Sequence, residues 1–345
     1  MNHVVHGLAE ASRTHYEPLI VVTASGRPEG YDGLWLYLPY FNPARPLGFL
    51  ARLVPNLLRL RKLLKNAVVA NPHFGGLECL PLLFLRRLRL GPPVILSIHG
   101  ADLTDFLSTT GWERRLYRWM FASADLVVGC SRDLIQKLEP LSPRAKTAAI
   151  WNATDPAPEV SAKRPSERPY LLCVAAFVKK KAHENLIEAF ARIAPEYPDL
   201  DLVLIGSDGP ARPELDAQIR SAGLAPRVRI LLSQPNPEVW WWMRYAACFV
   251  LPSREEPFGI VLLEAGKSRV PVVATRVGGI PEFLIHGEQG LLCDPDRPDQ
   301  LAEAILLTLK DADETHRRVE AFYRQACSFT WTRAFEQYRS LASLP

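Results

Sequence analysis

No apolar run in the sequence reaches the roughly 18 residues that a membrane-spanning helix needs. The longest candidates, such as Leu171 to Val178, are strand-sized. The chain is therefore not expected to cross a bilayer. Its six cysteines (Cys79, Cys130, Cys173, Cys248, Cys293, Cys327) form no C-x-x-C pair. That argues for buried free thiols in a reducing compartment, and against a zinc site or a disulfide framework. The opening residues MNHVVHGLAEAS carry no charged-then-apolar signal pattern, so a cytoplasmic protein is expected. No G-x-G-x-x-G follows any apolar run, which removes the fingerprint of a dinucleotide oxidoreductase. A large charge of one sign is missing too: 41 Lys and Arg stand against 37 Asp and Glu.

What is present is an ordinary globular mixture, 48% apolar and 23% charged over 345 residues, in a length that suits two domains of about 150 residues each. Val/Ile/Leu runs alternate with helix-length amphipathic segments. The runs are PLIVVTAS, KNAVVANP, PPVILSIHG, ADLVVGCS and KTAAIWN, then YLLCVAAF, DLVLIGS, RVRILLS, ACFVLPS and VPVVATR. Continuous apolar strands separated by helices are the pattern of a parallel sheet covered on both faces. The series breaks once, in the Pro-rich and charged run up to Pro169. The expected organisation is an α/β domain over 1–155, a linker over 156–169, a second α/β domain over 170–326 and a closing helix over 327–345, spaced by Trp331, Phe335, Tyr338 and Leu341. Two such domains facing each other would form a cleft at the carboxyl ends of their strands. The chain opens on an amphipathic helix (Val4, Val5, Leu8, Ala11) and not on a strand with a Gly-rich turn. The first strand and its Gly-rich loop are thus expected to be missing, with either Met1 not the true start or the chain a fragment.

The charge is unevenly placed. Between Arg45 and Arg89 there are nine basic residues and one acid, Glu78, so the rest of the chain is net acidic. Within Leu47 to Leu64 the basic residues Arg52, Arg59 and Lys62 fall near one side of a helical projection that Pro55 interrupts, with Arg45 just upstream. Two readings stand side by side: a core helix with a solvated basic edge, or a surface docking peripherally on anionic lipid at the inner face of a membrane. No recognition motif accompanies the charge, so nucleic acid is not an expected partner.

The segment PSREEPFGIVLLEAG carries the most chemistry. Glu256 and Glu264 are eight residues apart. On a helix beginning near Phe258 the second carboxylate sits about two turns in, while the first stays in the preceding loop. The residues between them, Pro257, Phe258 and Gly259, would expose main chain at the helix N-terminus, where an anion is attracted. Two acids beside an anion site suit a ligand bearing both phosphates and hydroxyls. The alternative is a Glu capping the helix and a Glu on its solvated face.

These surroundings resemble a known family. The run from Ala247 through the E-x7-E pair to RVGGIPE and HGEQGLLCDPDRPDQLAEAI is similar to the nucleotide-sugar domain of the retaining GT-B glycosyltransferases of family 4 (glycosyl transferases group 1). VAAFVKKKAHENLIEAFARI and LVLIGSDGP resemble that domain's opening strands and lysine loop. SIHGADL, ASADLVVGCS and IWNATD resemble segments of its partner domain. The resemblance implies a GT-B fold of two Rossmann-like domains facing a cleft, with the C-terminal helix returning toward the first domain. It implies transfer of a hexosyl unit, with retention, from a UDP- or GDP-sugar to a glycan or lipid-linked acceptor in cell-surface polysaccharide or glycolipid synthesis.

By the same resemblance, Glu264 holds the ribose hydroxyls and Glu256 lies against the donor sugar. The backbone of Phe258, Gly259 and Ile260 faces the sugar and diphosphate, and Lys181 neutralises the diphosphate. Gly206 belongs to the donor loops, and His99 contacts the donor sugar near the acceptor. The sequence departs from the family at Ala175-Ala176, where Gly-Arg is usual, and at AGKSRVP after Glu264. A sugar-nucleotide epimerase of the same architecture and a non-catalytic sugar-nucleotide-binding protein are the alternatives.

No metal or other cofactor is expected. The Asp-x-Asp strings Asp199/Asp201, Asp294/Asp296 and Asp311/Asp313 read as helix caps or loop acids, and not as cation ligands. His99 follows a strand in a Gly-containing loop, and His73, in ANPHFGG, is a second cleft candidate. Trp240, Trp241 and Trp242 are consecutive, so they cannot all face one ligand. They are expected to pack their helix on the sheet with one ring exposed.

Overall fold

A computed structural model of the protein describes residues 3–14, 20–23, 34–37 and 57–342. It divides into two compact units, Met1–Ala153 with Trp331–Pro345, and Thr154–Thr330.

The first unit opens with α1 (His3–Thr14), whose Val4, Leu8 and Ala11 are buried at helical spacing. Strands β1 (Ile20–Thr23) and β2 (Leu34–Tyr37) pair in parallel. A helix over 57–63, α2, leads to α3 (Leu80–Arg87), β3 (Ile95–Ile98), α4 (Ala101–Ser108), α5 (Gly111–Ser123), β4 (Leu126–Gly129), α6 (Arg132–Leu138) and β5 (Thr147–Ala149). The sheet order is β3-β4-β5, all parallel. Arg86 grips Asp125 through two nitrogens, and Asp125 also accepts the Val94 N–H at 2.8 Å, which ties α3 to the sheet.

One expected strand is not continuous. KNAVVANP runs beside β3 but makes only isolated bridges, Ala70 to Val94 and His73 to Ser97. Pro72 has no N–H to donate, and the Asn71 side-chain amide serves Ile95 O instead, at 3.2 Å. The C-terminal helix, Trp331–Ala342, belongs to this unit as expected. It meets α1 so closely that a Cβ on Gly7 would lie 2.2 Å from the Trp331 indole.

The second unit runs β6 (Tyr170–Val174), α7 (His183–Ile193), β7 (Asp201–Gly206), α8 (Arg212–Ser221), β8 (Val228–Leu232), α9 (Asn236–Arg244), β9 (Cys248–Leu251), α10 (Ile260–Lys267), β10 (Val272–Thr275), β11 (Leu291–Cys293), α11 (Pro298–Lys310) and α12 (Ala312–Cys327). Its six strands are parallel in the order β11-β10-β9-β6-β7-β8. Leu171, Cys173, Leu202, Leu204, Cys248 and Val250 are buried in one apolar core. The strand order reverses between β6 and β9, and in open α/β sheets ligands bind outside the carboxyl ends of the strands at such a point.

Residues 156–169 contain no helix or strand. They are fastened to α9, whose Trp241 donates from Nε1 to Lys163 O at 2.8 Å. Trp240 and Trp242 are buried, and Trp242 packs edge-on against Tyr170. The expectation of one exposed tryptophan is therefore corrected. Trp241 is half-buried because the linker covers it.

Candidate functional site

The loops after β6 and β9, the two strands at the reversal, together with the helix α10, hold most of the predicted residues. After β6, Lys179–Lys181 form a single tight turn, closed by the buried Ala182 in a left-handed conformation (φ +49°). The turn presses back on its own sheet. A Cβ on Gly206, at the end of β7, would lie 2.0 Å from Ala175 O, and one on Gly209 would lie 2.4 Å from Phe177 O. Close backbone approach by itself accounts for glycine at position 206.

The loop after β9 is laced to the lysine turn. Arg254 donates its main-chain N–H to Lys180 O at 2.8 Å and its guanidinium to Lys179 O at 2.7 Å. The same guanidinium meets Glu184 at 2.6 Å and Asp296 at 2.7 Å. Lys181 Nζ then reaches Glu256 Oε2 at 2.6 Å, in a pair whose side chains are 17% and 11% exposed. Cation and carboxylate thus stand within one hydrogen bond of each other, little screened by water.

The helix expected to begin near Phe258 begins at Ile260. Gly259 intervenes with φ +99°, a conformation outside the helix, and no side chain caps the helix N-terminus. Phe258 is buried against Phe283 and Phe329, so its ring is not offered to a ligand. Glu264 lies in the second turn of α10 and is 8% exposed. Burial, helped by nearby Asp155 and opposed by Lys267, pushes its carboxyl up to about 7.

Two features escaped the sequence reading. Gly278 is left-handed (φ +54°), and a Cβ there would lie 1.9 Å from Glu256 O, while the Gly279 N–H donates to that same oxygen at 3.1 Å. The glycine pair clamps the main chain of Glu256. Its signal was the GG of RVGGIPE, which stood in a segment the sequence had singled out but did not name its partner. The second is Lys267, in the departure AGKSRVP. Its buried ammonium donates to the carbonyls of Thr154 at 2.6 Å, Asp155 at 3.3 Å and Phe329 at 3.1 Å, gathering the segments that enter and leave the unit.

The acidic strings are occupied otherwise. Asp201 is buried between Arg168 and Arg229, and Asp296 bonds to Arg254 and Asn185. Asp294 is bonded by Gln300, and Asp311 caps α12 by accepting from the Glu314 N–H. Among the described residues no cluster of three potential metal ligands occurs.

In the first unit, His99 stands at the carboxyl end of β3 and meets His73, with Nε2 2.9 Å from His73 Nδ1. The His99 N–H donates to Asp102 Oδ2 at 2.5 Å, and Gly100 turns the chain with φ +107°. Of the basic stretch, Arg45, Arg52 and Pro55 lie outside the described residues. Arg61, Lys62, Lys65 and Arg89 line a groove of about 620 Å³, beside Leu58 and Leu90, which are 62% and 42% exposed.

Comparison with known proteins matches both halves. Residues 158–325 fit the family described as Glycosyl transferases group 1, and residues 1–157 fit Glycosyltransferase Family 4. The chain is 31% identical over 260 residues to the N-acetyl-alpha-D-glucosaminyl L-malate synthase of Bacillus anthracis, covering 72% of this chain and 64% of that relative. It thus spans less than two thirds of that relative's length. It is 27% identical over 333 residues to the alpha-D-kanosaminyltransferase of Streptomyces kanamyceticus, covering 91% and 84%. Anabaena HepE, solved with UDP and glucose, superposes with a TM-score of 0.79 at 20% identity, covering 99% of this chain and 95% of HepE. The architecture is that of GT-B proteins, two Rossmann-like units with parallel sheets.

Proposed function

The chain belongs to the family 4, group 1 glycosyltransferases, and from that premise we propose that it moves a hexosyl unit from a UDP- or GDP-sugar to a hydroxyl of a glycan or lipid-linked acceptor, with retention. The observation that carries this reading is the Lys181–Glu256 pair at the strand-order reversal, with buried Glu264 in the second turn of the helix beyond. Departure of the nucleotide builds negative charge on the β-phosphate and positive charge on the sugar, and a cation beside a carboxylate answers both. Lys181 takes the diphosphate together with the N-terminus of α10, Glu256 faces the sugar, and Glu264 accepts from the ribose hydroxyls. His99 serves the reaction from the first unit. No metal is required.

A thermal-shift screen against UDP, GDP, ADP and their sugars tests the donor, because a ligand that binds the folded state raises the midpoint. A rise with one nucleotide sugar, followed by transfer that Glu256→Ala abolishes, is the expected result. Nucleotide binding without turnover would favour the non-catalytic reading, which Ala176 in place of the usual arginine supports. The cationic groove at Arg61, Lys62, Lys65 and Arg89, with its exposed leucines, supports docking on an anionic membrane surface. Flotation with anionic but not neutral liposomes is expected, and no binding at low salt would end that part of the proposal.

A further inference from the structure

His73 has no role in the reading above, yet it makes the only side-chain hydrogen bond to the His99 ring among the described residues. The two rings meet edge to edge along that bond, with centroids 5.2 Å apart and 18° between their planes. Phe74 covers His99 at a centroid distance of 4.5 Å, held in a left-handed conformation (φ +59°) uncommon for an aromatic residue. Tyr338 of the C-terminal helix packs 5.8 Å from the His73 ring, and its hydroxyl meets Ser97 Oγ at 3.0 Å. Asn71 in turn donates to Ser97 Oγ at 3.2 Å. His73 is therefore packed against the far end of the chain, and Ser97, which it faces across an isolated bridge, is held by Asn71 and Tyr338. His99 Nδ1 is buried without a hydrogen-bond partner.

Two imidazole nitrogens at 2.9 Å are joined by one proton. Burial holds both rings neutral, pushing His99 down to about 4 and His73 well below its ordinary value. A neutral pair has two arrangements. When His73 donates from Nδ1, His99 accepts at Nε2 and carries its own proton on Nδ1. When His99 donates from Nε2, its Nδ1 is a bare acceptor. What His99 offers at its unpartnered nitrogen is decided by the proton on His73.

We propose that His73 is a positioning residue for His99, holding Nε2 so that the ring keeps one orientation and presents Nδ1, as donor or acceptor, to a hydroxyl of the substrate. A hydroxyl both donates and accepts, so either arrangement of the pair can engage it. The inference rests on His99 serving the reaction, as proposed above.

The test compares His73→Leu with His73→Asn, whose side-chain amide reaches the position of Nδ1 and keeps a hydrogen bond to His99. Nitrogen-15 spectra of the folded variants read the His99 tautomer, and steady-state kinetics read the reaction. In His73→Leu the His99 ring nitrogen shifts are expected to change, and kcat to fall about a hundredfold with KM for the donor little altered. His73→Asn is expected to restore most of both. Unchanged His99 shifts in folded His73→Leu, or a His73→Asn variant as impaired as His73→Leu, would overturn the proposal. Changed shifts in a protein that transfers no sugar in any form would sustain the pairing and count against the transferase reading instead.

Discussion

The clamp on Glu256 makes a prediction whose size can be worked out. In Gly278→Ala the new Cβ would lie 1.9 Å from Glu256 O, whereas ordinary contact begins at 3.4 Å. The two loops must therefore separate by about 1.5 Å, and misplacing a reacting group by about 1 Å costs on the order of a hundredfold in rate. A second cost comes from the backbone, since a left-handed residue other than glycine loses about 1–2 kcal/mol. Gly223 isolates that second term. It is also left-handed (φ +67°), but nothing lies within 4 Å of its added Cβ. In a unit of this size about 1 kcal/mol moves the melting midpoint by roughly 2–4 °C, so Gly223→Ala should melt a few degrees lower and keep its activity. Gly278→Ala should melt lower still and lose about a hundredfold in kcat/KM, measured as nucleoside diphosphate release from the donor that the thermal screen identifies. Equal midpoints and equal activities in the two variants would refute the clamp.

Glu264 gives a pH dependence with two opposite signs. Its folded carboxyl, at about 7, lies above the ordinary value of 4.5, so the folded state binds the proton better, and the group's contribution to stability is lost as pH rises through that window. Nucleotide binding should run the other way, strengthening as pH passes about 7, because the carboxylate is the better acceptor for ribose hydroxyls. Calorimetry at either side of neutrality should show this in the wild type and not in Glu264→Gln, and equal pH slopes would sink the assignment. Gly7→Ala drives a methyl group into the Trp331 indole and should lower the melting midpoint of the first unit, while an unchanged midpoint would remove the contact with the C-terminal helix from the account. Transfer activity should survive excess chelator; its complete loss, restored by Mn²⁺, would contradict the metal-independent reading.

The fold was legible because its signals are local. Ten apolar runs gave nine strands, and the tenth failed at a residue that explains itself, since Pro72 cannot donate to the ladder. Helix ends were less legible. The start of α10 slipped from Phe258 to Ile260 because Gly259 takes a positive φ, which the sequence permits without requiring.

The site was legible in its charges and not in its supports. Glu256, Glu264 and Lys181 could be found because carboxylates at that spacing and a lysine loop suggest a chemistry on their own. What holds them comes from elsewhere in the chain: Gly278 and Gly279 on the Glu256 main chain, Arg254 on the carbonyl of Lys179, His73 on the ring of His99. Arginine and histidine have many ordinary uses, so neither marks itself as a support until its partner is known. Glycine fares better, because a close approach leaves no room for anything else. The close approaches at Gly206 and Gly278 both stood in segments the sequence had singled out. A reading of this kind therefore finds the groups that meet the substrate before the groups that orient them, and substitutions in the second set are the sharper test of the architecture, since they leave the chemistry in place and move it.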